Sequence, residues 1–283
     1  MAILSIQSAV AYGSVGNAAA VFPLQRLGFE VWRVDTVLFS NHTGYGAWRG
    51  TVLEPGLVRE IIRGIEERGV LGRAEAVLSG YLGSVALGRV VLDAVERMKL
   101  ASPRALYCCD PVLGDADRGF FVKPELAEFF AREAVPMADI LTPNRFELET
   151  LAGMRAGTMA AAQAAADTLL ARGPRAVLVT SLDVAEISAG TAAMLAATRD
   201  GAWLVRTPRL PMVANGAGDL TAALFLAHFL RSGDAAAAVG ETAAGVHAVI
   251  AETVRRGAAE LAIVSAQDSL DRPPQRFSVE RVR

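Results

Sequence analysis

Cysteine and histidine are scarce, with two of the first and three of the second in 283 residues. The cysteines, Cys108 and Cys109, are adjacent. Neighbours in the chain do not make a structural disulfide, and two such thiols with three scattered histidines make no zinc pattern. A reducing cytoplasm is the expected compartment. Basic residues are not in excess, since 28 Lys and Arg stand against 30 Asp and Glu. Interspersed charge of this kind excludes a nucleic-acid footprint. Long apolar runs are missing as well, because Gly, Arg or His interrupts each one before it could span a bilayer. The opening "MAILSIQSAV" has no basic leader and reads as a first strand, not a signal peptide. What remains is a chain 52% hydrophobic and 20% charged. That suits a soluble globular protein with a large core, and no linker or repeat divides it. One domain over 1–283 is expected.

Apolar strands alternate with helices along most of the length. Strands are expected at 3–8, 31–37, 76–79, around 105–109, 140–141 and 176–180, with a pair at 192–196 and 203–205. Segment 261–264 is expected to close the sheet, and the tail from 267 to run as an extended surface segment. Helices are expected between these, among them an alanine-rich one that stops at Gly173 and those at 221–230 and 235–254. Residues 39–50 read as a loop or flap. "RALYCCDP" is continuously apolar, as a strand covered on both faces would be. The alternation predicts an α/β fold, a single domain with a central mostly parallel sheet flanked by helices on both faces. In such sheets ligands bind beyond the carboxyl ends of the strands.

Polar residues stand at those ends. Ser8, Tyr81, Asp110, Asn144, Glu147 and Thr180 each follow an apolar run. Asp110 ends a buried strand, and a carboxylate there can hold magnesium directly or through water. The stretch 114–123 carries "GDADRG", a lid with a glycine at each end. Asn144 and Glu147 are three apart, which fits a helix capping box and is also compatible with Glu147 facing magnesium waters. His42 lies among polar flap residues, whereas His228 and His247 sit in apolar helices. The stretch "ANGAGDLTAALFLAHFL" strips away side chains just before a helix. Gly216, Ala217 and Gly218 would let a phosphate approach the unpaired N–H groups of the helix start. Asp219 would then stand beside that phosphate, placed to take a proton from an attacking hydroxyl.

In combination, "GAGD" at 216–219, "DPVLG" at 110–114 and "PNRFE" at 143–147 resemble the ribokinase-like superfamily of vitamin and sugar kinases. "QSAVAYGSVGN" at 7–17, "FSNHTGYG" at 39–46 and "LSGYLGS" at 78–84 narrow the resemblance to the pyridoxal kinase family of bacterial type, over essentially the whole chain. The resemblance implies ATP-dependent phosphorylation of the 5′-hydroxymethyl group of pyridoxal, giving pyridoxal 5′-phosphate. It implies magnesium, often a stimulating monovalent cation such as K+, and usually a homodimer.

Carried over by position, Asp219 matches the family's catalytic base and Gly216, Ala217 and Gly218 its anion hole. Ser8, Thr43 and Gly44 match substrate contacts, with His42 and Tyr81 nearby. Asp110 and Glu147 match nucleotide–magnesium positions. Thr142, Thr180, Thr207, Pro208, Arg209 and Leu210 match nucleotide contacts. Four features depart from the pattern. Phe120 stands where some relatives have a lid cysteine, and Thr180 with Ser181 where many have lysine. Asn215 replaces a more usual Val or Thr, and the stretch from Pro208 to Asn215 is short. Two other readings stay open, a hydroxymethylpyrimidine kinase of the same fold and a vitamer-binding protein with little catalysis.

Overall fold

The computed structural model describes every residue except 213 and 214. The strands are β1 (Ala2–Tyr12), β2 (Glu30–Asn41), β3 (Gly50–Val52), β4 (Ala74–Ser79), β5 (Leu106–Cys109), β6 (Gly114–Asp115), β7 (Gly119–Phe120), β8 (Ile140–Leu141), β9 (Ala176–Val179), β10 (Thr191–Thr198), β11 (Gly201–Pro208) and β12 (Val279–Arg281). Among the described residues, ten of them form one sheet in the order β12-β11-β10-β9-β8-β5-β4-β1-β2-β3. The block from β9 to β2 is parallel, and each strand pairing outside it is antiparallel. β6 and β7 make a separate hairpin.

Strand β5 shows why its sequence is unbroken in apolarity. Leu106 and Cys108 join the core on one face, Tyr107 and Cys109 the core on the other. Both faces are covered, so alternation would leave polar atoms buried without partners. The helices Pro55–Glu66, Val85–Ala101 and Met159–Leu170 cover the Cys109 face. The helices Asn17–Arg26, Ala217–Ser232 and Ala235–Arg256 cover the Cys108 face. Both thiols are free and buried, and burial pushes that of Cys109 up to about 12.

Register brings the strand ends into line. Ser79 pairs with Cys109, and Cys109 with Leu141. The next residues, Gly80, Asp110 and Thr142, therefore leave the sheet side by side. β1 has β2 on one flank and β4 on the other, so the chain reverses direction across the sheet at β1, where a crevice opens between diverging connections.

Two expectations are corrected. Segment 261–264 is not a strand. Leu261 and Ile263 are buried in the core on the Cys108 face of the sheet, and the Ala262 N–H is held by Thr253, so their alternation reports a pinned loop. The tail is not simply extended, because it forms the helix Gln267–Asp271 and then β12, which pairs antiparallel with β11. β12 closes that edge of the sheet.

Candidate active site

A cavity of about 570 Å³ opens beyond the carboxyl ends of β1, β4, β5, β8 and β9. On its floor Thr142 donates its hydroxyl hydrogen bond to Asp110 Oδ1 at 3.0 Å. This follows from the register that sets the two residues side by side. Asp110 and Glu147 are 5% and 4% exposed. Burial, then the charges of Glu147 and Asp219, hold the Asp110 carboxyl well above the usual range. Burial pushes Glu147 up to about 7, against three backbone N–H donors that favour its charged form. Among the described residues, no Lys, Arg or His pairs with Asp110, Glu147 or Asp219. The buried Asp110 carboxylate, with the charges of Glu147 and Asp219 acting on it and no cationic partner, suits a magnesium ion completed by phosphate and water oxygens, although among the described residues no three such side chains cluster closely enough to hold a metal by themselves.

The capping box expected at the helix Arg145–Ala152 is present. Asn144 Oδ1 accepts from the Glu147 N–H at 3.0 Å, and Glu147 Oε2 accepts from the Asn144 N–H at 2.9 Å. Glu147 also has a task that the sequence did not reveal. Its Oε1 accepts from the Leu113 N–H at 2.8 Å, and Asn144 Nδ2 donates to the Gly114 carbonyl at 2.7 Å. These bonds anchor the base of the β6–β7 hairpin, the expected lid. With both carboxylate oxygens so engaged, Glu147 suits an ion's water shell better than direct ligation.

The glycine turn is built as a helix start without a side-chain cap. Gly216 occupies the N-cap position of the helix Ala217–Ser232 at φ 84°, and no side chain caps it. By contrast, Ser84, Thr158 and Asp234 cap their own helices. The N–H groups of Ala217 and Gly218 therefore have no side-chain acceptor and face the cleft at the positive end of the helix dipole. Asp219, in that first turn, is pushed up to about 6 by burial, partly offset by the backbone N–H groups of Gly16 and of Asp219 itself. The expected stretch from Pro208 to Asn215 includes residues 213 and 214, which lie outside the described residues, as does the Ala214 that opens the quoted motif.

Ser8, Tyr81, His42, Thr43 and Gly44 all line the larger cavity. The flap residues are there because β2 runs on to Asn41 and turns through the short 3-10 segment Thr43–Tyr45. A second cavity of about 240 Å³ is walled by Thr207, Pro208, Arg209 and Leu210 on one side and Ala243, Val246 and Ile250 on the other. Thr180, Ser181, Ala217 and Gly218 line both cavities. The expected residues thus fall into two chambers joined at the uncapped helix start.

Two of the departures take on structural meaning. Phe120 is 53% exposed and packs edge-on against Phe146. Phe121 is the lid phenylalanine that lines the cleft, with the Arg118 guanidinium 4.5 Å above its ring. Ser181, beside Thr180, is the one non-glycine residue with positive φ among the described residues, at 47°. Backbone held in this region costs about 1–3 kcal/mol and collects at functional sites.

The family model described as phosphomethylpyrimidine kinase matches residues 51–263. The chain is 60% identical to the pyridoxal kinase PdxY of Rubrobacter xylanophilus, over 99% of this chain and 97% of that one. It is 53% identical to the pyridoxal kinase PdxY of Leifsonia xyli, with both chains fully covered. Its fold matches the pyridoxal kinase of Leishmania donovani solved with ADP and pyridoxamine, at a TM-score of 0.93, 31% identity, and coverage of 100% and 99%. The matched segment of the family model begins after the flap, whereas the relatives include it. With the two-chambered cleft, the full-length identities and the shared fold in agreement, the chain belongs to the pyridoxal kinase family.

Proposed function

We propose that the protein transfers the γ-phosphoryl group of ATP to the 5′-hydroxymethyl group of pyridoxal, forming pyridoxal 5′-phosphate. One observation carries this reading. Two chambers meet at an uncapped helix N-terminus, with a carboxylate in its first turn. The smaller chamber takes the nucleotide against Thr207–Leu210, with Thr180 and Thr142 towards its phosphates. The larger takes the vitamer between Ser8, the flap residues His42, Thr43 and Gly44, and Tyr81. Its hydroxymethyl group then points at Gly216–Gly218.

Phosphoryl transfer asks little covalent chemistry of a protein. It asks for alignment and stabilisation of charge. The N–H groups at Gly216, Ala217 and Gly218 hold the transferring group from the positive end of the helix. Asp219 accepts the hydroxyl proton as the bond to phosphorus forms. Asp110 would hold magnesium with the nucleotide's phosphates, and Glu147 would reach its water shell. When bound, the ion supplies positive charge against the phosphates. The lid hairpin excludes water, so ATP is not hydrolysed idly.

A base must be unprotonated to act. With Asp219 at about 6, kcat/KM should be level above neutrality and fall about tenfold per unit at pH values below that carboxyl's own. A pH–rate profile checks this, and one still level at pH 5 would remove Asp219 as the base.

The carboxylate floor predicts metal-dependent nucleotide binding. At a hundredfold excess over Kd, Mg2+ with ADP should raise Tm by about 5 °C. ADP with EDTA should do less, and Asp110→Asn should erase the difference. Equal shifts with and without magnesium would refute the assignment of the floor.

The family model, described as phosphomethylpyrimidine kinase, points to a pyrimidine as the competing class of substrate, and hydroxymethylpyrimidine is the compound of that class with a free hydroxymethyl group to phosphorylate. Parallel turnover measurements separate the two, and the flap predicts that pyridoxal is preferred. A homodimer is also part of this reading. Leu38, Trp48, Val52, Leu57 and Ile61 are exposed along the β2–β3 edge and the helix beside it, a strip that a second copy would cover. The two free core thiols support a reducing compartment such as the cytoplasm.

A further inference from the structure

Glu260 lies in the loop after the helix Ala235–Arg256, far in sequence from every cleft residue on the flap. It nevertheless joins three loops. Its Oε1 accepts the Tyr45 hydroxyl hydrogen bond at 2.6 Å and lies 3.0 Å from His42 Nε2. Its Oε2 accepts the Ser14 backbone N–H at 3.0 Å. The Glu260 and His42 side chains are only 15% and 11% exposed. The loop is itself fixed, since Thr253 Oγ1 accepts from the Ala262 N–H at 2.9 Å and Ser14 donates its hydroxyl to the Leu261 carbonyl at 3.3 Å. The His42 ring stacks on Tyr45 with centroids 4.6 Å apart. The carboxylate is thus held from both sides, and the imidazole is clamped onto it.

A carboxylate offers His42 only lone pairs, so Nε2 must carry the proton of their hydrogen bond. In the neutral ring, Nδ1 is then left with a lone pair. That nitrogen lies at the turn that lines the cleft, where a Cβ on Gly44 would come within 2.9 Å of it. We propose that Glu260 is a positioning residue that fixes His42 as the Nε2–H tautomer, so that Nδ1 faces the vitamer chamber as an acceptor for a donor group of the bound substrate. The inference rests on the substrate reading above for what occupies the chamber, but not for the tautomer.

Glu260→Gln tests it, because the backbone decides how the amide sits. The Ser14 N–H is a fixed donor, so the Gln oxygen must face it. The amide NH2 then points at His42 and Tyr45. His42 must accept at Nε2 and carry its proton on Nδ1, which turns an acceptor towards the substrate into a donor.

The measurement is the pair of imidazole 15N shifts of His42 at pH 8, with the pyridoxal Kd and both KM values. In the unaltered protein Nε2 is protonated and Nδ1 is not. In the variant the pattern reverses. KM and Kd for pyridoxal rise about tenfold, the scale of one mispaired buried hydrogen bond. KM for ATP stays within about twofold, as a contact confined to the vitamer chamber requires. A purely structural clamp would move Tm and both substrates together without reversing the ring nitrogens. A doubly protonated or Nδ1–H His42 in the unaltered protein overturns the proposal. So does a variant that keeps both its tautomer and its pyridoxal affinity. If the protein phosphorylates no vitamer, the kinase reading fails, while the 15N pattern and the pyridoxal Kd still decide the role of Glu260.

Discussion

Asp219→Asn should leave a folded protein that binds nucleotide and turns over at least about a hundredfold more slowly, the usual scale for a lost general base. Asn keeps the shape of the side chain but cannot take a proton. Stability should respond in the opposite direction. The Asp219 carboxyl is raised from 3.8 to about 6 in the folded state, so the folded protein binds the proton more tightly than the unfolded chain. The stability this group contributes is full below its unfolded pKa and is lost as pH rises through about 6. At pH 8 the folded protein therefore holds the charged form at a cost that Asn removes. Thermal melts at pH 8 should show the variant as stable as the parent or more so, a trade of stability for function. If slow turnover came with a large fall in Tm, Asp219 would be a structural residue. Near-normal turnover would take it out of the reaction.

Gly216→Ala and Gly218→Leu should fail in different ways. A Cβ at Gly216 would lie 1.7 Å from the Ser14 carbonyl oxygen, and the residue sits at φ 84°. The backbone strain alone costs about 1–3 kcal/mol, and the clash forces the loop after β1 away from the helix start. Tm should fall by about 5 °C or more, and nucleotide protection should go with it. At Gly218 a Cβ meets nothing within 4 Å. A leucine there costs the fold little but stands where the phosphate must lie. Tm should hold within about 1 °C, since the position is away from packed atoms, while ADP affinity falls at least about tenfold. Melting curves with and without Mg-ADP separate the two. Unchanged ADP affinity in Gly218→Leu would contradict the anion-hole assignment.

The strands that the sequence revealed best are those covered on both faces. β5 and β9 are continuously apolar, and β4 is so over Ala76–Leu78, because two helical layers bury them. β12 was hidden because all three of its residues are exposed and it is held to β11 by backbone pairing. β1 runs past its apolar stretch to Tyr12, through an irregularity in register between Gln7 and Ala9, which pattern alone does not show. Segment 261–264 misled because a loop with alternate residues buried in the core produces the same pattern as a strand.

The site was legible where one residue follows one strand, as Asp110, Thr142 and Thr180 do. It was illegible where function arises between distant segments. Glu147 holds the N–H of Leu113 from 34 residues away, and Glu260 holds Ser14 from 246 away. No local spacing encodes either. The lid shows a finer limit, since the backbone turns Phe120 outward onto Phe146 and gives Phe121 to the cleft.

The most direct test of the account follows both products at once. Purified protein, Mg-ATP and pyridoxal should yield ADP and pyridoxal 5′-phosphate in equal amounts, with no ADP formed when pyridoxal is omitted. Pyridoxal bound tightly with no phosphorylated product, across several nucleotides and cations, would contradict it and leave a vitamer-binding protein in place of a kinase.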